Sequence, residues 1–177
     1  MSTISKKICL VGDFGVGKTS LIRRFVEQQF SDQYLSTVGV KISRKTVELE
    51  GVKEPEKLSL QMMIWDLEGH TKFKGIAPTY LAGAGGAIIV ADVTRQETLE
   101  RMSEHINLFF TVNPKGFIII ALNKSDMFEE EKIDKLLSNY QFEEEKRVLS
   151  THSTSAKTGK DVDIIFHKLA DKMAGLT

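Results

Sequence analysis

The stretch Ile8-Cys9-Leu10-Val11-Gly12-Asp13-Phe14-Gly15-Val16-Gly17-Lys18-Thr19-Ser20-Leu21-Ile22 decides the architecture. A short apolar run enters a glycine loop, and a segment with apolar residues at Leu21, Ile22, Phe25 and Val26, the spacing of one helix face, leaves it. Strand, glycine loop and helix in this order predict a βα unit with a loop at its carboxyl end. Gly12, Gly17, Lys18 and Thr19 meet every fixed position of G-x-x-x-x-G-K-[ST]. Successive backbone N–H groups and the positive start of the helix can surround a diphosphate there, with no side chain at the glycines to clash. Lys18 supplies charge for β- and γ-phosphate oxygens and the Thr19 hydroxyl a ligand for Mg²⁺. The motif specifies a nucleoside triphosphate without saying which.

Outward from this unit the pattern repeats. Residues 38–49 alternate with β-branched residues, Gly51–Pro55 reads as a turn, and residues 58–65 alternate again, which predicts a hairpin. Apolar runs at Ala87–Ala91 and Phe117–Leu122, and a weaker one at Val148–Thr151, are each followed by a segment long enough for a helix. Continuous apolarity marks central strands covered on both faces. The expected fold is therefore α/β: a doubly wound, six-stranded, mostly parallel sheet with one antiparallel edge strand and helices on both faces. A chain of 177 residues with 41% hydrophobic and 27% charged residues fits a single domain over 1–177.

Lysine plus arginine (24) equals aspartate plus glutamate (24), which argues against nucleic acid or an anionic membrane as the main partner. The lone cysteine, Cys9, lies in an apolar run and reads as a small core residue in a reducing, cytoplasmic setting. No apolar run is long enough to span a membrane, Ser2 does not suit N-myristoylation, and the ending Met173-Ala174-Gly175-Leu176-Thr177 offers no cysteine for prenylation, so no lipid anchor is expected in this chain. The acidic runs Glu129–Glu131 and Glu143–Glu145 read as solvated surface, the scattered methionines as core filling, and Arg44 and Arg95 as surface residues.

The base is read further along. Asn123-Lys124-Ser125-Asp126 follows the strand at 117–122, at the carboxyl end where open α/β sheets bind ligands. Guanine presents adjacent N1–H and 2-amino donors to which an ionised Asp126 accepts a bidentate pair; adenine has an acceptor at N1 and no 2-amino group. An unpaired carboxylate against adenine makes the discrimination strong. Lys124 can lay its methylenes on the purine with its ammonium in water.

These motifs together resemble the Ras superfamily of small GTPases, and within it the Rab branch. Gly12–Ser20 with Leu21-Ile22-Arg23-Arg24-Phe25, the segment Tyr34-Leu35-Ser36-Thr37-Val38-Gly39-Val40, Trp65-Asp66, Asp92-Val93-Thr94, Asn123–Asp126 and Ser155-Ala156-Lys157 fall in the family's order across almost the whole chain. The resemblance implies a P-loop NTPase G domain that binds GTP and GDP with Mg²⁺. It implies phosphate contacts from Gly15, Val16, Gly17, Lys18, Thr19 and Ser20, and nucleotide contacts from Phe30, Tyr34, Ser155, Ala156 and Lys157. Phe30 resembles the aromatic that stacks on guanine, and Ala156 the residue whose N–H meets the guanine carbonyl oxygen. Thr37 resembles a Mg²⁺ ligand that also contacts the γ-phosphate, Asp66 the carboxylate of the metal's water shell, and Gly69 an N–H donor to the γ-phosphate. Two loops gripping one phosphate and released when it leaves form an order–disorder switch.

Departures from the family pattern fall beside the reacting phosphate. The family's Asp-x-Ala-Gly-Gln reads here Asp66-Leu67-Glu68-Gly69-His70, so His70 stands where a glutamine usually orients water. Glu68 replaces a small residue near the metal. Phe14 brings a ring to a position that would crowd an arginine supplied in trans, a group whose contribution of about 10³–10⁵ in rate is known from GTPases of this same family. The expected function is a GTP/GDP switch with slow Mg²⁺-dependent hydrolysis through Lys18, Gly69 and His70; the alternative is a GTP-binding interaction module with negligible hydrolysis. Protein effectors and regulators are expected at residues 32–45 and 68–80, on a monomer.

Overall fold

Strand β1 (Ser2–Val11) runs into the glycine loop and helix α1 (Lys18–Glu27) leaves it. The structure, a computed structural model, describes residues 2–31, 40–49, 58–67 and 78–176. After α1 come β2 (Val40–Glu48), β3 (Leu58–Leu67), α2 (Pro78–Leu81), β4 (Gly86–Asp92), α3 (Gln96–Glu100), α4 (Met102–Val112) and β5 (Phe117–Asn123). A 3₁₀ turn (Ser125–Met127), α5 (Glu130–Asn139), β6 (Val148–Ser153) and α6 (Val162–Met173) complete the chain.

One six-stranded sheet has the order β2-β3-β1-β4-β5-β6. Among the described strands only the β2–β3 pair is antiparallel; β1–β3, β1–β4, β4–β5 and β5–β6 are parallel. The expected topology is met, including the antiparallel edge. The turn expected at 51–55 lies outside the described residues. Among the described residues β2 has one neighbour, and Lys41, Ile42 and Arg44 are exposed along it.

Side-chain alternation along the central strands divides the core in two. Ile8, Leu10, Ile88, Val90, Ile119 and Ala121 point to one face, where Leu21, Phe25, Ile165, Phe166 and Leu169 of α1 and α6 cover them. Cys9, Val11, Ala87, Ile89, Ile118, Ile120 and Leu122 point to the other, under Met102, Ile106, Phe109 and Ile133 of α4 and α5. Residues that look continuously apolar in sequence are thus shared between two layers. Phe25 and Phe166 stack with ring centroids 4.1 Å apart and planes 2° from parallel, a contact worth about 0.5–1.5 kcal/mol beyond its area. This fixes α1, whose first turn carries Lys18 and Thr19.

Burial pushes the Cys9 thiol up to about 12, only partly opposed by the charge of Lys7, so it is a core residue and not a nucleophile at neutral pH. Met62 and Met102 fill the core as expected, whereas Met127 is exposed. Glu130 and Glu131 sit in the first turn of α5, where the helix dipole favours them. Glu145 is not simply solvated: it pairs with Arg147, whose guanidinium lies 3.9 Å from the Phe110 ring centroid. Among the described residues no helix is long and apolar enough to cross a membrane.

Candidate functional site

The carboxyl ends of β1, β4 and β5 converge on the glycine loop, and close approach decides its sequence. A Cβ on Gly12 would lie 2.3 Å from the Val90 carbonyl oxygen, a backbone atom that cannot yield. Gly17 caps α1 at φ 103, a left-handed conformation, and a Cβ there would meet Asn123 Nδ2 at 2.3 Å. The loop therefore touches β4 and β5 directly.

Carbonyl groups around the loop show which way its peptides face. Lys18, buried, donates from Nζ to the Gly12 and Asp13 carbonyls at 3.0 and 2.9 Å, so its ammonium is curled into the loop. Asn123 Nδ2 donates to the Val16 carbonyl at 3.0 Å and Lys124 Nζ to the Gly15 carbonyl at 3.0 Å. Because C=O and N–H point oppositely across a trans peptide, holding the Gly15 and Val16 carbonyls toward β5 turns the N–H groups of Val16 and Gly17 away from it. The loop thus presents consecutive donors, the arrangement that binds anions.

Asn123 is itself oriented: its Oδ1 accepts from Thr154 Oγ1 at 3.1 Å. Lys124 adopts a left-handed backbone at φ 62, and its ammonium pairs at 2.8 Å with Asp92, which is fully buried. Sequence reasoning places that ammonium in water. The structure corrects this, because Asp92 and the Gly15 carbonyl both engage it while the side chain stays partly open. Burial works to raise the Asp92 carboxyl, but hydrogen bonds from Lys124 and from the Thr94 hydroxyl and N–H, with the Lys124 charge, outweigh it and hold the group below its ordinary value.

Asp126 lies beside the Ser155-Ala156-Lys157 loop. Ser155 Oγ donates to Asp126 Oδ1 at 2.7 Å and accepts from the Thr158 N–H at 3.1 Å, which ties the Asn123–Asp126 turn to the Ser155-Ala156-Lys157 loop. Arg24 on α1 clamps that loop from below, donating from Nε to the Ala156 carbonyl at 2.7 Å and from Nη2 to the Lys157 carbonyl at 2.6 Å. The Ser155 carbonyl accepts from the Gly159 N–H at 2.8 Å, which turns the Ala156 N–H the other way. Phe30 packs half-buried against the α1 and α6 side of the core.

Where α1 meets the end of β3, Thr19 Oγ1 donates to Asp66 Oδ2 at 2.5 Å. A neutral hydroxyl and a buried carboxylate brought together at the loop's start form a hard oxygen pair of the kind Mg²⁺ uses. Ser20 follows in the first turn of α1. Tyr34, Thr37, Glu68, Gly69 and His70 lie outside the described residues. Phe14 is exposed at the loop's rim. Three residues that sequence reasoning did not single out join the site: Arg24, Thr154 and Arg95, whose Nη1 donates to the Phe14 carbonyl at 2.7 Å. Arg95 is a surface residue as the sequence suggests, its side chain 37% exposed, and the bond to Phe14 is added to that. No pattern in the sequence marks it, since the contact spans 81 positions.

Residues 7–175 match the Ras family profile. The chain belongs to the Ras family. It is 34% identical to the GTP-binding protein ypt5 of Schizosaccharomyces pombe over 172 residues, 97% of this chain and 79% of that protein. It is equally identical to the Ras-related protein RABF2b of Arabidopsis thaliana over 172 residues, 97% of this chain and 82% of that one. The Ras-related protein Rab-13 of Rattus norvegicus matches at 34% over 170 residues, 93% of this chain and 77% of Rab-13. This Ras family member is Rab-like, a small GTP-binding switch protein; Ras-family GTPases in general bind guanine nucleotide with Mg²⁺ and hydrolyse GTP.

Proposed function

We propose that this chain binds GTP and GDP through a single connected site and hydrolyses GTP slowly. Gly15, Val16, Gly17, Lys18, Thr19 and Ser20 hold the phosphates. Asp126 accepts from the guanine N1–H and 2-amino group, Ala156 donates its N–H to the guanine carbonyl oxygen, and Asn123, Lys124, Ser155 and Lys157 frame the base, with Phe30 and Tyr34 at its edge. The observation that carries the reading is the pair of bonds from Asn123 and Lys124 to the Val16 and Gly15 carbonyls, which make base recognition and phosphate recognition one rigid unit.

Thr19 and Asp66, with Thr37, would hold Mg²⁺, which when bound neutralises charge on the phosphates. In the hydrolytic step water attacks the γ-phosphorus in line, the bond to the β–γ bridging oxygen breaks, and GDP and phosphate leave. Lys18 stabilises the charge that gathers on the leaving diphosphate, the Gly69 N–H holds the γ-phosphate, and His70 orients the water. Release of that phosphate frees residues on both sides of it, and partners read the difference through residues 32–45 and 68–80. Ile42, exposed, and Trp65, paired with it across the strands, put apolar side chains beside each other there, and Tyr80 within the second segment is exposed as well. The neutral balance of charge and the buried thiol suit a cytoplasmic monomer that does not bind nucleic acid.

The replacement of glutamine by His70 supports a second reading, a binding module with negligible hydrolysis. Single-turnover chromatography of GTP preloaded with Mg²⁺, beside a His70→Gln variant, separates the two. Conversion by wild type at a rate the variant does not exceed supports the slow enzyme. GTP retained for many hours by wild type and hydrolysed by the variant supports the binding module.

A further inference from the structure

A third side chain, absent from the nucleotide motifs, holds the phosphate loop from outside. Arg95 stands at the start of α3, its N–H donating to the Asp92 carbonyl at 3.0 Å and its own carbonyl accepting from the Thr98 N–H and hydroxyl at 3.0 and 2.8 Å. Glu97 takes its Nε at 3.1 Å. With backbone and Nε both fixed, Nη1 reaches the Phe14 carbonyl at 2.7 Å.

The contact closes a circuit. Asp92 accepts from the Thr94 N–H and hydroxyl through Oδ1 and pairs with Lys124 through Oδ2; Lys124 holds the Gly15 carbonyl; Arg95, anchored on the Asp92 carbonyl, holds the carbonyl one residue earlier. The residue before Phe14 is fixed too: the Asp13 carboxylate accepts from Arg101 Nη1 at 2.9 Å and lies 3.0 Å from His105 Nε2. Along the loop the Gly12 and Asp13 carbonyls receive the Lys18 ammonium, whereas those of Phe14, Gly15 and Val16 are taken by Arg95, Lys124 and Asn123. The change of direction falls between Asp13 and Phe14, and Arg95 is the side chain on the far side of it.

We propose that Arg95 is a positioning residue of the phosphate site: by drawing the Phe14 carbonyl outward it turns the Gly15 N–H inward, adding a donor in front of those of Val16 and Gly17. The assignment deepens the nucleotide reading above and rests on it. Arg95 reaches the nucleotide only through this peptide. A left-handed Gly15 at φ 75 lets the loop accept this direction, because that conformation carries no steric cost at glycine.

The test uses the full chain loaded with GDP and Mg²⁺ as wild type, Arg95→Ala and Arg95→Lys. The Arg95 side chain is 37% exposed, so its truncation leaves the core intact. Two readouts are taken: release of labelled GDP into excess unlabelled GDP, and the ³¹P resonances of bound GDP. The expected result is release about five- to tenfold faster in Arg95→Ala, the size of one part-exposed charge-assisted hydrogen bond, with a displaced β-phosphate resonance. Arg95→Lys, which still offers a cationic donor, restores both. Unchanged release in Arg95→Ala overturns the proposal. So does faster release with an unmoved β-phosphate resonance, which would place the effect in α3 packing, or failure of lysine to restore either readout. A wild type that retains no GDP overturns the nucleotide assignment itself and this proposal with it.

Discussion

Replacing Gly17 by alanine is expected to remove about 3–4 kcal/mol of folding stability, of which the backbone conformation explains only about 1 kcal/mol. The larger part follows from where the methyl goes. It would lie 2.3 Å from Asn123 Nδ2, and that amide cannot step aside freely, because Nδ2 is committed to the Val16 carbonyl at 3.0 Å and Oδ1 to the Thr154 hydroxyl at 3.1 Å. Displacing a buried amide breaks both bonds, each worth about 1 kcal/mol net, and leaving a buried partner without a replacement adds about 1 kcal/mol or more. Gly83 supplies the internal control: it also has a left-handed φ, +80, but a Cβ there meets nothing within 4 Å. Gly83→Ala therefore bears the backbone cost alone. Urea unfolding of both variants without nucleotide, so that binding does not contribute, should separate them by about 2–3 kcal/mol, and thermal midpoints by roughly 5–10 °C for a domain of this size. Midpoints within about 2 °C of each other would show that Asn123 relocates at little cost, and would refute the claim that it ties the phosphate loop rigidly to β5.

Asp126→Asn should exchange base preference: the new amide offers an N–H to a 2-carbonyl and an oxygen to N1–H, so xanthosine diphosphate should gain and GDP lose affinity by at least about tenfold each, measured by competition for the loaded protein. Acid should destabilise the wild type through Asp92. Its carboxyl is held below the ordinary value in the folded state, so its contribution is complete above an unfolded value of about 3.9 and is lost as pH falls through the lower folded one. Asp92→Asn, less stable at pH 7, should therefore lose less than wild type between pH 5 and 3 in urea midpoints; parallel slopes would count against the ion pair.

The legibility of this chain differs by range of contact. Strand positions could be read because burial on both faces leaves an uninterrupted apolar run, as at Ile118–Leu122, and the hairpin because β2 and β3 alternate. Ends were less exact: β3 continues through Asp66 to Leu67, since both pair in register with β2 even though a carboxylate breaks the apolar pattern. At the site, Gly12, Gly17, Lys18, Thr19 and Asn123–Asp126 were legible because spacing within one turn constrains residue type. Arg24, Thr154 and Arg95 were not, because each bonds across a long sequence gap to a backbone carbonyl or an amide, and such an acceptor leaves no mark on residue identity. The Lys124 ammonium was misplaced for a related reason: Asp92 sits at the end of a buried strand, where the pattern shows a strand end but not the neighbour it faces.

Among the described residues the outer side of β2 is unpaired, which matters at high concentration. An unpaired strand edge is a template on which a second sheet can grow, and this one carries an exposed apolar residue, Ile42. Lys41 and Arg44 stand exposed on either side of it. If two copies met edge to edge, each would bring cations of the same sign to the seam, and repulsion would oppose the docking that the backbone groups favour. The same few residues thus discourage copies of this chain from polymerising through their sheets.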